Sequence, residues 1–411
     1  MIDSNSPFNK KVVDILIHDN MIAEIGENLA VEADKVIARE NLHISSGWYD
    51  AKVNFQDPGH EVKENIISGL KAAELGGITA VSVTPNTSPA LSNKTQIEYA
   101  INKAQFSPVE IFPYGTLTEG GQGKNIAEYY DMSQAGAIGF TDGHLPVSAG
   151  IMYRALLYAK NINVKIISFP YDDSIFGNGQ INESKASVLT GLKAIPSLSE
   201  YLMVEREISL VEYTESAIHF TGISSKKSVA LIKAAKAKGL NISADVYAHQ
   251  LVFTDDEVLG FNSNYKVLPP LRTEDDRLAL IEGLKDGTID FVCSDHTPED
   301  TENKDLEFDL ASFGMIGTQT LFSTINSVKG LTLSQKIELI STKPRQVLGL
   351  STSSINTGEI ANLTLFNPKL EYVLENSDLA SLSKNTPFVN KKLKGKAMGI
   401  INKGIISIFE D

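Results

Sequence analysis

Long apolar runs, paired cysteines and a surplus of basic residues are all missing from this chain, and each absence closes off a class of function. No stretch approaches membrane-spanning length, and the opening Met1-Ile2-Asp3-Ser4-Asn5-Ser6-Pro7 has no cationic segment leading into an apolar one. Neither a membrane partner nor a secretory signal is therefore expected. The one cysteine, Cys293, excludes an intramolecular disulfide and suits a reducing compartment, so the expected location is cytoplasmic. Its place in Ile289-Asp290-Phe291-Val292-Cys293 marks a buried structural thiol rather than a nucleophile. Lys and Arg number 37 against 51 Asp and Glu, a net charge of −14. Nucleic acid is a poor partner for such a surface, because phosphate contacts need clustered cations.

What is there is an ordinary globular composition, 42% apolar and 21% charged over 411 residues, enough for a large core. Short β-rich runs alternate with helix-period segments, the pattern of a parallel sheet built from βα units. Eight strands are expected: residues 48–55, 78–83, 110–114, 137–140, 163–169, 217–220, 241–246 and 289–293. Eight closes a TIM-type barrel. Helices are expected at 64–75, 94–103, 151–160, 198–211, 226–238 and 275–284, the fifth with Leu231, Ile232 and Ala235 as its apolar stripe. The ends read differently. Residues 11–25 alternate around Asp19-Asn20, and residues 396–409 do so around Asn402-Lys403-Gly404, as hairpins should. The fold class is therefore α/β: a (β/α)8 barrel over 48–349, with a small β-sandwich built from 1–47 and 350–411.

The run Trp48-Tyr49-Asp50-Ala51-Lys52-Val53-Asn54-Phe55-Gln56-Asp57-Pro58-Gly59 resembles the first barrel strand of the dihydroorotases, within the cyclic amidohydrolase superfamily, where the pattern is Asp-x-His-x-His-(Phe/Leu)-Arg-(Glu/Asp)-Pro-Gly. Gly76-Gly77-Ile78-Thr79, Thr84-Pro85-Asn86-Thr87, Lys266-Val267-Leu268-Pro269-Pro270-Leu271-Arg272 and Ser294-Asp295-His296-Thr297-Pro298 follow in family order. So do Phe313-Gly314-Met315-Ile316-Gly317, Lys343-Pro344-Arg345 and Ser383-Lys384-Asn385-Thr386-Pro387-Phe388. The resemblance implies a metal-dependent hydrolase barrel with a split sandwich. It also implies interconversion of carbamoyl-aspartate and dihydroorotate by one or two divalent metals, zinc in the family. Coordination lowers the pKa of water from about 15.7 to about 7. At about 1.36 kcal/mol per unit, that is on the order of 12 kcal/mol of nucleophile activation.

Measured against that pattern, four ligand histidines are replaced. The first-strand pair reads Lys52 and Asn54; the fifth-strand histidine reads Pro170; the second of the sixth-strand pair reads Gly222. His219, Asp142 and Asp295 persist, Asp295 at the position that serves the family as general acid/base. Two carboxylates and scattered imidazoles do not make the N/O donor set these metals prefer, so no metal cofactor is expected. The substrate-carboxylate positions read Gln56, Asn86 and Glu299, with Arg272 as a further vestige, so anion recognition has weakened as well. His144, His249 and His296 lie near strand ends, but no two share ligand spacing on one strand. Lys52 is expected to fill the vacated cation position and to pair with Asp295, Asp142 or both, because buried carboxylates need a positive partner.

Three readings follow. In the first, the chain is an inactive dihydroorotase-like subunit; some lineages pair such homologues with aspartate transcarbamoylase, and the resemblance implies that partner within a homo-oligomeric assembly. In the second, an active amidohydrolase uses a site rebuilt around Asp142, His144 and Asp295. The third is a small-molecule sensor in the residual pocket.

Overall fold

The β-branched runs pair side by side, with the helices outside them. In the computed structural model, which describes residues 1–409, the strands Trp48–Val53, Ile78–Val83 and Glu110–Ile111 form one parallel group. Ile166–Ser168, Ala217–Phe220, Asn241–Tyr247 and Phe291–Cys293 form a second. Phe140 bridges the two groups, pairing with Gly115 and Ile166, and Val53 pairs with His296 to close the ring. The chain forms the (β/α)8 barrel with a separate β unit from its two ends.

The strands expected at 48–55, 110–114, 163–169 and 289–293 are shortened to Trp48–Val53, Glu110–Ile111, Ile166–Ser168 and Phe291–Cys293, and one expected strand is reduced to a bridge. Residues 137–140 supply only the Phe140 bridge. Ile138 donates its N–H to the Pro113 carbonyl (3.1 Å), but proline has no N–H to extend the ladder on that side. The six helices start within two residues of their expected positions, at Ile66, Lys94, Ala149, Leu198, Lys226 and Glu274. Five open on side-chain caps, from Asn65, Asn93, Ser148, Ser225 and Thr273, each satisfying a first-turn N–H that the helix cannot.

Side chains split between two cores. Trp48, Val53, Val81, Ile218, Val246 and Val292 face the helices, while Tyr49, Ala51, Ala80, Phe169, Tyr247 and Cys293 fill the barrel interior. Cys293 is buried and free, as its sequence context implies. The first strand carries a register irregularity between Asp50 and Val53, and it breaks the two-residue alternation of faces. Ala51 and Lys52, though consecutive, both reach interior partners.

The chain ends supply the second unit. The hairpin Asp14–His18/Met21–Gly26 turns at Asp19-Asn20, both with positive φ (47° and 65°), as a type I′ turn requires. His43–Ser46, Leu363–Val373, Lys392–Asn402 and Ile405–Ile408 form an antiparallel sheet. Hairpin and sheet share a core that includes Ile22, Ile25, Leu363, Leu365 and Met398. Among the described residues, no helix is long and apolar enough to cross a membrane.

Candidate functional site

The C-terminal ends of the barrel strands bring Lys52, Tyr247 and Asp295 together. Lys52 Nζ lies 3.1 Å from Asp295 Oδ1, both side chains being more than nine-tenths buried, and donates a hydrogen bond to the Tyr247 hydroxyl. It also stands 5.2 Å from the Phe169 ring centroid, within range of a cation–π contact. The ammonium thus has a carboxylate, a phenol and a π face around it. Burial pushes the Asp295 carboxyl up to about 6, with the neighbouring Lys52 pulling the other way. Burial, then the charge of Lys52, pushes the imidazoles of His144 and His249 down to about 3. Both rings are neutral near pH 7. His144 packs on Phe169 with ring centroids 4.6 Å apart, and His249 Nε2 is a buried atom without a hydrogen-bond partner.

Asp142 is held differently. Its Oδ1 accepts the Thr118 N–H (2.9 Å) and its Oδ2 the Thr118 hydroxyl (2.5 Å). Burial raises its carboxyl, against those bonds. Of the two partners foreseen for Lys52, the structure selects Asp295 as the ion pair and gives Asp142 to neutral donors.

Gly222 explains how the tyrosine fits. Its φ is +71°, and a Cβ there would come within 2.5 Å of the Tyr247 ring and hydroxyl. The missing side chain at residue 222 is the room that Tyr247 occupies. The Gly222 N–H donates to Asp245 Oδ1 (2.7 Å), while Asp245 Oδ2 pairs with His219 Nε2 at 2.9 Å. His219 Nδ1 meets Ser243 Oγ at 2.9 Å and its ring stacks on Phe291. The surviving histidine is therefore fully engaged in the sheet.

The remaining site residues are engaged as well. Arg272, buried, donates to Ser224 Oγ (3.0 Å), Asn182 Oδ1 (2.8 Å) and the Ile195 carbonyl (3.1 Å), and lies 3.7 Å from Glu200. It ties together loops, its donors spent on these partners. Glu299 pairs with Lys63 at 2.7 Å, and burial nonetheless raises its carboxyl. Asn86 donates to the Asp142 carbonyl (3.3 Å) and Gln56 to the Pro298 carbonyl (3.5 Å). The Asn54 N–H donates to the His296 carbonyl (2.8 Å), and its side-chain oxygen accepts from the Gln56 N–H (3.4 Å). His296 Nε2 faces Glu64 at 3.4 Å. Pro170 lines a small cavity with Phe169, Tyr171, Gly222, Leu268 and Arg272.

These residues do not fit a divalent metal. Among the described residues no three His, Cys, Asp or Glu side chains converge as an ion would need. An ammonium holds the best remaining carboxylate, and like charge repels a metal ion. Tyr247, Thr118 and Asp245 escaped the sequence reading. The expected seventh strand stopped at residue 246, one short of the tyrosine, although strand alternation places Asp245 and Tyr247 on one face.

Comparison with known proteins agrees with this geometry at the level of fold and family. A model described as dihydro-orotase-like matches residues 43–228, and one described as amidohydrolase family matches residues 188–400. A dihydroorotase of Geotalea daltonii is 39% identical over 400 residues, covering 96% of this chain and 94% of the relative. One from Caldicellulosiruptor saccharolyticus is 38% identical over 401 residues, covering 96% and 93%. Among solved structures, the L-hydantoinase (dihydropyrimidinase) of Arthrobacter aurescens superimposes with a TM-score of 0.86 at 22% identity, covering 100% of this chain and 96% of that one.

Proposed function

We propose that this chain, which belongs to the dihydroorotase family of the amidohydrolases, carries out no amide hydrolysis and serves instead as a structural subunit. The observation that carries this reading is the Lys52 ammonium 3.1 Å from Asp295. The family's general acid/base position is neutralised by a fixed charge, in the place where a Lewis acid would have to sit. Without metal activation, water is short by on the order of 12 kcal/mol as a nucleophile. None of the surrounding groups replaces that. The partner that the resemblance implies is aspartate transcarbamoylase, whose assembly the chain would support.

A second reading has one observation in its favour: relatives 37–39% identical are named dihydroorotases. It requires a rebuilt centre from Asp142, His144 and Asp295, and two of these are occupied by Thr118 and Lys52. A sensor for anionic ligands has less support, since Arg272 is consumed internally.

The test is hydrolysis of dihydroorotate and cyclisation of carbamoyl-aspartate by the purified full chain, with and without added zinc. Gel filtration with the transcarbamoylase of its own cell runs alongside. No turnover in either condition and a co-eluting complex are the expected results. Zinc-dependent turnover would replace this reading with the second.

A further inference from the structure

Three loops at the barrel mouth fold into a lobe with a small core of their own. Ile181 and Ala186 from the loop after the fifth barrel strand, Val258 from that after the seventh and Phe308 from that after the eighth form a separate apolar cluster. Polar ties fix it from below. Lys266 Nζ donates to the Phe308 carbonyl (2.8 Å), Lys304 Nζ to those of Lys266 (3.1 Å) and Ser312 (2.9 Å), and Ser263 Oγ to that of Lys304 (2.6 Å). Asn182 Nδ2 donates to Asp255 Oδ2 (2.8 Å). Both buried lysines of the lobe are turned inward onto carbonyls.

The outer surface of the lobe has a different composition. The three segments expose Val188 (82%), Leu189 (62%), Leu259, Phe261 (51%), Leu306 and Leu310 (65%), each within three residues of a member of the cluster beneath. The same segments expose Asp256, Glu257, Glu302, Asp305, Glu307 and Asp309, with Lys185 and Lys193 as exposed cations. Apolar groups amid charge that is mainly acidic mark an interaction surface. The sign selects the occupant. Anionic lipid and nucleic acid are repelled, and a second copy docking through the same face would set acid against acid. A protein surface with an apolar centre and a basic margin is the complement.

We infer that this lobe is the docking surface for such a basic-rimmed protein partner, held ready by the Lys266 and Lys304 ties so that little ordering is lost on binding. The inference rests on the structural-subunit reading and names the chemistry of the partner's surface. It is tested with the full chain and the aspartate transcarbamoylase of its own cell, by calorimetry and gel filtration. Variants are Leu189→Asp/Leu310→Asp at the centre, Asp305→Lys/Asp309→Lys at the rim, and Phe106→Asp as a control, Phe106 being 88% exposed outside the lobe.

The expected result is a complex weakened roughly tenfold or more by either lobe variant, unchanged by the control, and loosened by salt. Unaltered melting curves would show that the exposed substitutions leave the fold intact. A complex indifferent to both lobe variants would overturn the docking surface and leave the subunit reading standing. Absence of any complex with the wild-type chain would overturn both.

Discussion

Asp295 and Asp142 are both buried carboxylates at the barrel mouth, and the protein compensates them by different means. Asp295 has a cation at 3.1 Å, whereas Asp142 has an N–H and a hydroxyl from one residue, Thr118. The first is a problem of charge balance and the second of hydrogen-bond satisfaction. The two carboxylates are held independently of one another. Removing the cation should therefore disturb one and leave the other in place.

The largest effect is expected from Lys52→Met. It leaves Asp295 buried without its partner, which costs about 3–5 kcal/mol, read as a shift in the urea midpoint at unchanged slope. Asp295→Asn in the same background should recover part of the loss, because the naked charge is gone. A fully additive double variant would show that the pair is not coupled.

The pH dependence sharpens the contrast. Asp295 sits at about 6 in the fold against its ordinary 3.8, so the folded state holds the extra proton between those values. Its contribution to stability therefore declines as pH rises through that window and levels off above it. Without Lys52 the carboxyl rises further, and the decline continues to higher pH. The gap between wild type and Lys52→Met should be smallest near pH 5 and widen towards pH 8. His144 and His249, held at about 3 against an ordinary 6.5, slope the other way: their contribution is complete above pH 6.5 and is lost as pH falls towards 3. Their imidazole NMR signals should not titrate between pH 5 and 8.

Gly222→Ala comes next, at about 2–4 kcal/mol, from the left-handed backbone and from overpacking against Tyr247. Tyr247→Leu in the same chain should relieve the packing share and leave the backbone share. Equal losses with and without the tyrosine would break the link drawn between these two positions. The smallest effect is expected at Asp142. Thr118→Val removes the hydroxyl that donates to Asp142 and accepts the Gly123 N–H but keeps the backbone donor, costing about 1–2 kcal/mol with no change in the pH profile assigned to Asp295.

The barrel was legible in the sequence because its signals are local. Caps such as Asn65, Asn93 and Thr273 and the strand periods act within a few residues. Residues 137–140 were over-read, since the missing ladder bond depends on Pro113 in the neighbouring strand. At the mouth, Lys52, Asn54, Pro170 and Gly222 were identifiable as departures from a family pattern. Their new partners were not. Tyr247 reaches Lys52 only because residue 222, just past the end of the adjacent strand, has no side chain, and Asp142 turns to Thr118 on the neighbouring segment rather than to Lys52. Side-chain direction between strands is a property of the packed barrel, and no single segment carries it. Arg272 shows the same limit: its motif fits a ligand contact equally well, and only the packed loops show that Asn182, Ser224 and Glu200 engage it.

The central claim, that a lysine ammonium stands where the family places a metal, is tested most directly by the metal content of the full chain purified without chelator and then dialysed against zinc. Less than about a tenth of an equivalent is predicted, rising in Lys52→His/Asn54→His if the cation is what excludes the metal. One or two tightly held equivalents in the wild-type chain would contradict the account, because they would require Lys52 to leave Asp295.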